Sequence, residues 1–213
     1  MLWRYFKVHR VIEEITESNN WRDGEFAKFK INSQEVDSEL WYRMCIPMIY
    51  AHWEGYIVSS LKILISHLNT LNLTPNDIPT KLIVTSLGDT YRSLSGKQSL
   101  EQKVVFTDKF KNTFDNKIKF SKRIDTKSNL RGEVLKDLCC IFDFDFNKFK
   151  DSISIIDRLV NIRNSIAHGE NSYVVNGENV QLFIIEITNA MDIFLNEIND
   201  FITNERFLLQ NKK

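Results

Sequence analysis

The chain has little of what makes turns: of its 213 residues, only 7 are glycine and 3 are proline. A sandwich or barrel of many short strands needs turn residues every few positions, so that architecture is disfavoured and a mostly α fold is expected. Cysteine is scarce too. Cys45 and the adjacent pair Cys139 and Cys140 are an odd number without metal-ligand spacing, and they read as buried, reduced thiols. No apolar run approaches the roughly 18 residues of a membrane span. Arg4, Lys7, His9 and Arg10 interrupt the N-terminus where a secretory signal would be apolar. A cytoplasmic protein with no membrane contact is the expectation. No Asp, Glu or His cluster offers obvious metal spacing, so neither a metal nor a cofactor is expected. Net charge is missing as well, because 28 basic residues balance 28 acidic ones. No global field draws in nucleic acid, and any such case rests on local distribution.

What is present is apolar bulk: 43% hydrophobic residues, with 15 Phe and 4 Trp, enough for one well-buried domain over residues 1–213. The Trp and Phe residues at helical spacing read as core. Apolar periodicity predicts a first helix over about 2–18, broken by Asn19-Asn20 and Asp23-Gly24, and a long buried helix from about Val36 to Leu71. Pro47 lies inside that second helix and should kink or break it. Pro79 suits the first turn of a helix to about Tyr91, and another helix should cover Ser99 to Phe114. Ile118 to Ser128 reads as an exposed loop, open to mobility, or a short extended segment, ending at Asn129, an N-cap for Leu130 to Phe142. A helix from Asp151 or Ser152 carries an apolar stripe of Ile153, Ile156, Leu159, Val160, Ile166 and Ala167, and stops near His168 because Gly169 can turn left-handed. Asn176-Gly177 between β-prone residues signals a small hairpin over 173–180, followed by a last helix from Val180 to about Leu208.

Charge and chemistry concentrate in two places. Between Lys97 and Arg131, ten Lys and Arg face four acids, a net +6 that leaves the remainder at −6. That is either a solvated face or a surface that tracks phosphates, with Lys119, Lys122 and Arg123 as the candidate RNA contacts. The second place is Arg163-Asn164-Ser165-Ile166-Ala167-His168-Gly169, which joins a permanent cation to a group that exchanges protons near neutral pH. On a helix Asn164 and His168 share a face, so the amide can hold the imidazole, whereas Arg163 lies about 140° away. Ten arginines and four histidines yield roughly 0.2 chance matches to this spacing, so spacing alone is weak evidence. The plainer reading makes Arg163 an ion-pair partner of Glu54 or Asp157, and His168 a helix-terminal histidine favoured by the macrodipole. His52, among aromatics, reads as a satisfied core histidine, and His9 and His67 carry no pattern.

The motif string, after Ile155 to Ile162, resembles that of HEPN domains, helical domains of bacterial defence and toxin systems. Tyr50-Ala51-His52-Trp53-Glu54-Gly55-Tyr56 and Ile124-Asp125-Thr126-Lys127-Ser128-Asn129-Leu130 are similar to a bacterial stand-alone HEPN-like nuclease family. The resemblance covers roughly residues 5 to 205. It implies an all-α antiparallel bundle and a metal-independent endoribonuclease acting as a homodimer on RNA. Arg163 and His168 of each protomer would then be catalytic in a cleft at the interface, with Asn164 positioning the histidine. Glu54, read from the residues alone, is a supporting candidate that could orient Arg163 or polarise the site, against the plainer reading of a packing or surface charge. It also implies an antitoxin or defence-system partner protein. The alternative is a non-catalytic dimer of the same fold that binds RNA, nucleotide or a protein partner as a regulatory subunit. One departure stands out: toxins paired with a nucleotidyltransferase often carry a tyrosine two residues after the histidine, where this chain has Glu170, and Tyr173 is out of register.

Overall fold

The computed structural model describes residues 2–32, 38–88 and 98–209. All regular structure among them is helical: α1 (Leu2–Asn19), α2 (Trp21–Ile31), α3 (Ser38–Thr70), α4 (Thr80–Leu87), α5 (Leu100–Phe114), α6 (Gly132–Phe142), α7 (Lys150–Ala167) and α8 (Gly177–Thr203). Short 3-10 turns lie at Pro75–Asp77 and Phe146–Phe149.

The long helix α3 is the spine against which α8, α7 and α1 pack. Along α8 the buried residues Val180, Phe183, Ile184, Ile187, Met191 and Phe194 recur at steps of three and four, so one face of that helix enters the core throughout. α3 is buried around more of its circumference, through Ile46, Ile49, Trp53, Ile57, Leu61 and Leu64. The buried residues of all these helices belong to one connected apolar cluster.

Pro47 does not break α3, which runs from Ser38 to Thr70 as one helix. A mid-helix proline costs about 3 kcal/mol. Fully burying Ile46 and Ile49 on either side of it returns about 1.5–3 kcal/mol each, so packing outweighs the defect. The first break comes at Asn20 as expected, but Asp23-Gly24 lies within α2, where Gly24 faces open space. Pro79 is the N-cap of α4 rather than part of its first turn, and α4 ends at Leu87 with Gly88 at positive φ. Val36 and Tyr91 fall outside the described residues.

The expected hairpin does not form. Residues 170–176 carry no strand, and Asn176 caps α8 instead, its side chain accepting from the Asn179 N–H at 2.9 Å. Asn-Gly serves a helix start as well as a turn, and the apolar stripe beginning at Val180 decides between them. At its far end α8 stops at Thr203, short of Leu208. Glu205 turns left-handed at φ 50°, and the Arg206 N–H reaches back to the Phe201 carbonyl.

Residues 117–131 are a strap laid along α3 rather than a mobile loop. Ile118, Phe120 and Thr126 are buried, and each stretch of the strap is tied down. The Ile118 N–H donates to the Leu73 carbonyl, Phe120 exchanges two bonds with the Asn69 side chain, Thr126 donates to Glu54, and Leu130 is held by both Tyr50 and Trp53. The strap therefore runs back along α3 from its C-terminal end. Asn129 does not cap α6. That helix starts at Gly132, whose N–H is taken by the Asp157 carboxylate of α7 at 2.8 Å.

Two composition-based readings also change. Cys45 and Cys139 are buried, but Cys140 is exposed. Not every aromatic is core. Trp21 is 53% exposed, and Phe106, Phe110 and Phe114 stack along the outer α5, which packs mainly on the Pro75–Asp77 turn. No described helix is long and apolar enough to cross a membrane.

Candidate functional site

The site forms where α7 ends against the middle of α3 and the strap. Its anchor is Tyr50, 2% exposed, whose hydroxyl accepts the Leu130 N–H at 2.8 Å. Burial pushes the phenol above its usual pKa, Glu54 adds to that rise, and the Leu130 N–H and Arg163 oppose it. The ring thus stays a neutral, electron-rich face. Over it lies the Arg163 guanidinium, its carbon 4.2 Å from the ring centroid, within reach of a cation–π attraction.

Arg163 is half-buried and makes one hydrogen bond, from Nη1 to the Asn164 Oδ1 at 2.7 Å. Neither Glu54 nor Asp157 pairs with it. Asp157 is engaged by Gly132, and Glu54 accepts from Thr126 and contacts the Tyr50 hydroxyl. No carboxylate among the described residues lies within ion-pair distance of Arg163. Glu54 therefore bears on the arginine only through Tyr50.

Asn164 faces the arginine and the strap rather than the histidine. Its Oδ1 accepts from Arg163, its Nδ2 donates to the Asn129 Oδ1 at 3.3 Å, and its link to His168 is the backbone bond from the His168 N–H to the Asn164 carbonyl at 3.0 Å. The structure thus brings Arg163, Asn164 and Glu54 together around Tyr50. The His168 imidazole stands exposed, without a hydrogen-bond partner among the described residues.

His168 occupies the C-cap of α7. Gly169 follows at φ +76°, a conformation that favours glycine, and the Gly169 and Glu170 N–H groups return to the Ile166 and Ser165 carbonyls. Glu170, two residues after the histidine, fastens this turn. Its carboxylate accepts from Ser165 Oγ at 2.7 Å, and Ser165 Oγ also meets Ser172 Oγ at 2.8 Å. From α3, Arg43 grips the Glu170 carbonyl at 3.0 Å and the Asn171 side chain. Tyr173 is 40% exposed. Of the expected stripe on α7, Ile156, Leu159 and Val160 are buried and Ile153 and Ile166 half-buried, but Ala167 is exposed.

Lys119, Lys122 and Arg123 are exposed on the strap. Phe120 is held beside Asn69, and Tyr50 lies 19 residues earlier on the same helix, so Lys119 sits about 28 Å along α3 from the arginine platform. Three residues gain a place that sequence reasoning did not assign them: Tyr50 as the platform, Asn129 as the partner of Asn164, and Arg43 as the clamp on the motif's exit. The first two lay inside quoted strings, and their spacing carried no hint of their roles.

His52 is buried in a separate cluster on another face of α3. Its Nδ1 lies 3.1 Å from Arg22 Nη1 and its Nε2 3.0 Å from the Glu25 carboxylate, with the rings of Trp21, Phe26 and Phe29 around it. An arginine can only donate, so Nδ1 accepts and Nε2 carries the proton. Burial and Arg22 both lower the imidazole pKa, against an opposing pull from Glu25. Among the described residues no group of three His, Cys, Asp or Glu could hold a metal ion.

No curated protein and no solved structure matches the chain. A family model does, the one described as RiboL-PSP-HEPN, over residues 17–204. That span takes in α3, the strap, the whole motif helix and α8, and with the all-α bundle it shows that the chain belongs to this HEPN family.

Proposed function

We propose that the protein is a metal-independent endoribonuclease, one domain that works as a homodimer and serves as a toxin or antiviral defence effector. The observation that carries this reading is the state of Arg163: a half-buried guanidinium fixed by an aromatic face and a neutral amide, with no carboxylate among the described residues to cancel its charge. A structural arginine is ordinarily paired with an acid. One held by neutral groups keeps its charge and its remaining N–H donors for an anion such as a scissile phosphate. In this reading Asn164 positions Arg163 rather than the imidazole.

His168, exposed at the helix end, supplies proton transfer. Attack by the ribose 2′-hydroxyl on the adjacent phosphorus needs a base at that hydroxyl and an acid at the departing 5′-oxygen, whereas one chain offers one such histidine. A two-fold dimer facing motif to motif supplies both. A row of exposed apolar residues on α3, Leu40, Met44 and Met48, flanks the clamp residue Arg43 and suits that interface. On the strap, Lys119, Lys122 and Arg123 would hold RNA phosphates leading away from the cleft.

One observation favours the rival reading of a non-catalytic, regulatory dimer: nothing among the described residues orients the His168 ring. Incubation of the purified protein with total RNA in EDTA, wild type beside His168→Ala and Arg163→Lys, separates the two. The nuclease reading expects products ending in 2′,3′-cyclic phosphate, lost in both variants by about a hundredfold or more, the usual size of a general acid–base contribution. No cleavage by the wild type would favour the rival, and cleavage that survives His168→Ala would remove the histidine from the chemistry.

A further inference from the structure

A second arginine is held against the motif helix by a neutral amide. Arg131, the last residue of the strap, sends Nη2 to the Asn161 Oδ1 of α7 at 2.6 Å. It is half-buried, and its Nε–H is shut off from solvent with no acceptor among the described residues. Among those residues no carboxylate lies within ion-pair distance of it. Of the five donors a guanidinium carries, this one spends a single hydrogen bond, on a partner that leaves its charge intact.

The two arginines are tied to adjoining positions. Their amide partners, Asn161 and Asn164, stand three residues apart on α7, about 60° round the helix and about 4.5 Å along its axis. Side chains at that spacing are neighbours, and Asn161 also shares a face with His168, seven residues on. The strap closes the frame. Asn129 accepts from the Asn164 side chain through its own Oδ1, and its carbonyl accepts the Arg131 N–H at 2.8 Å. One residue thus steadies the amide of the first arginine and the backbone of the second.

Two permanent cations fixed side by side without an acid repel each other unless anions join them. A single strand of RNA brings anions in the matching arrangement, since its phosphates recur every few ångströms along one chain. Each planar fork can hold two oxygens of a phosphate, and such contacts fix the register of the strand. We infer that Arg131 is a second substrate-binding residue of the motif site, holding the phosphate next to the one at Arg163 on the same RNA strand. The inference rests on the reading of Arg163 as a phosphate contact.

The test uses the full-length protein as His168→Ala, so that RNA is not consumed, and titrates it into a short fluorescein-labelled single-stranded RNA by anisotropy across a salt series. Adding Arg131→Gln should flatten the salt slope by about 0.7, the share of one lost contact, while Arg131→Lys, which keeps the charge, should keep the slope. Lys28→Gln, which removes an exposed charge from α2, should also keep it. If Arg131→Gln lowers thermal stability, Asn161→Asp carries the test: it leaves the arginine in place, pairs it with an acid, and should flatten the slope as much. An unmoved slope in the Arg131→Gln and Asn161→Asp variants, an equal flattening by Lys28→Gln, or no RNA binding by the parent would overturn the inference. With His168 restored, Arg131→Gln should raise KM severalfold with kcat little changed, and a fall in kcat at unchanged KM would overturn the role. A wild type that shows the Arg131-dependent slope but cuts nothing defeats the nuclease reading and leaves the contact standing. One that cuts while the slope ignores Arg131 does the reverse.

Discussion

Replacing Tyr50 dissects how the motif is held. The buried Leu130 N–H, in a residue with 0% exposure, donates to the Tyr50 hydroxyl, so Tyr50→Phe keeps the ring and strands that donor. An unsatisfied buried N–H costs about 1–3 kcal/mol. Tyr50→Leu also removes the face beneath the half-buried Arg163, adding about 0.5–2 kcal/mol for the lost cation–π contact beyond the cost of the smaller side chain. Urea unfolding reads both. With m near about 2 kcal/mol/M, the phenylalanine variant should lose about 0.5–1.5 M in midpoint at unchanged m, and the leucine variant more. Since Phe keeps the platform, it should also keep a larger share of RNA cleavage than Leu. A phenylalanine variant within about 0.5 kcal/mol of wild type, the range of an ordinary surface change, would refute the hydroxyl as the strap's anchor. A leucine variant no less stable than the phenylalanine one would do the same for the stack.

Three further outcomes are expected. Because burial and Arg22 hold the His52 pKa below 6.5, the folded state binds fewer protons there than the unfolded chain; stability should be unaffected by this group above about pH 6.5 and fall as pH drops below it, and His52→Gln should flatten that decline in urea midpoints measured from pH 7 to pH 5. A Cβ on Gly132 would sit 2.7 Å from Ile153 Cγ2, so Gly132→Ala should cost about 1–3 kcal/mol, and most of that loss should vanish in an Ile153→Ala background, where that methyl is gone. Cys140 is exposed, whereas burial pushes the Cys45 thiol up to about 11 and Cys139 up to about 12, so a thiol reagent at neutral pH should label one cysteine quickly and the other two only on unfolding; equal rates for all three would contradict the packing.

The sequence reveals the helices best where apolar residues recur over many turns, as in α3 and α8, and the motif's end, where Gly169 is the residue a left-handed cap requires. It misleads where one dipeptide serves two structures. Asn176-Gly177 suits a hairpin and a helix start equally, and only the downstream stripe of α8 separates them. It is silent where the partner is distant in the chain. Asn164 stands at the right spacing to hold His168, yet its side chain meets Asn129, 35 residues earlier, and Arg163. Asn129 looks like a cap for α6, but Asp157 of α7 fills that role. Local pattern shows which side chains can interact, and the packing of α7 against the strap selects among them.

The strap's two middle fastenings have a consequence for length. Asn69 and Glu54 are 15 residues apart on α3, about 22 Å along the helix axis, and they hold Phe120 and Thr126, which six residues of fully extended chain separate by at most about 21 Å. The strap is drawn nearly taut, with only the reach of the two anchoring side chains to spare. One residue fewer between Phe120 and Thr126 would leave it about 3 Å shorter and pull one fastening open. An extra residue in α3 between Glu54 and Asn69 would turn the two anchors from about 60° to about 160° apart round the helix, so that they no longer faced the same strand of chain. Helix and strap can therefore drift in composition, but they can change length only together.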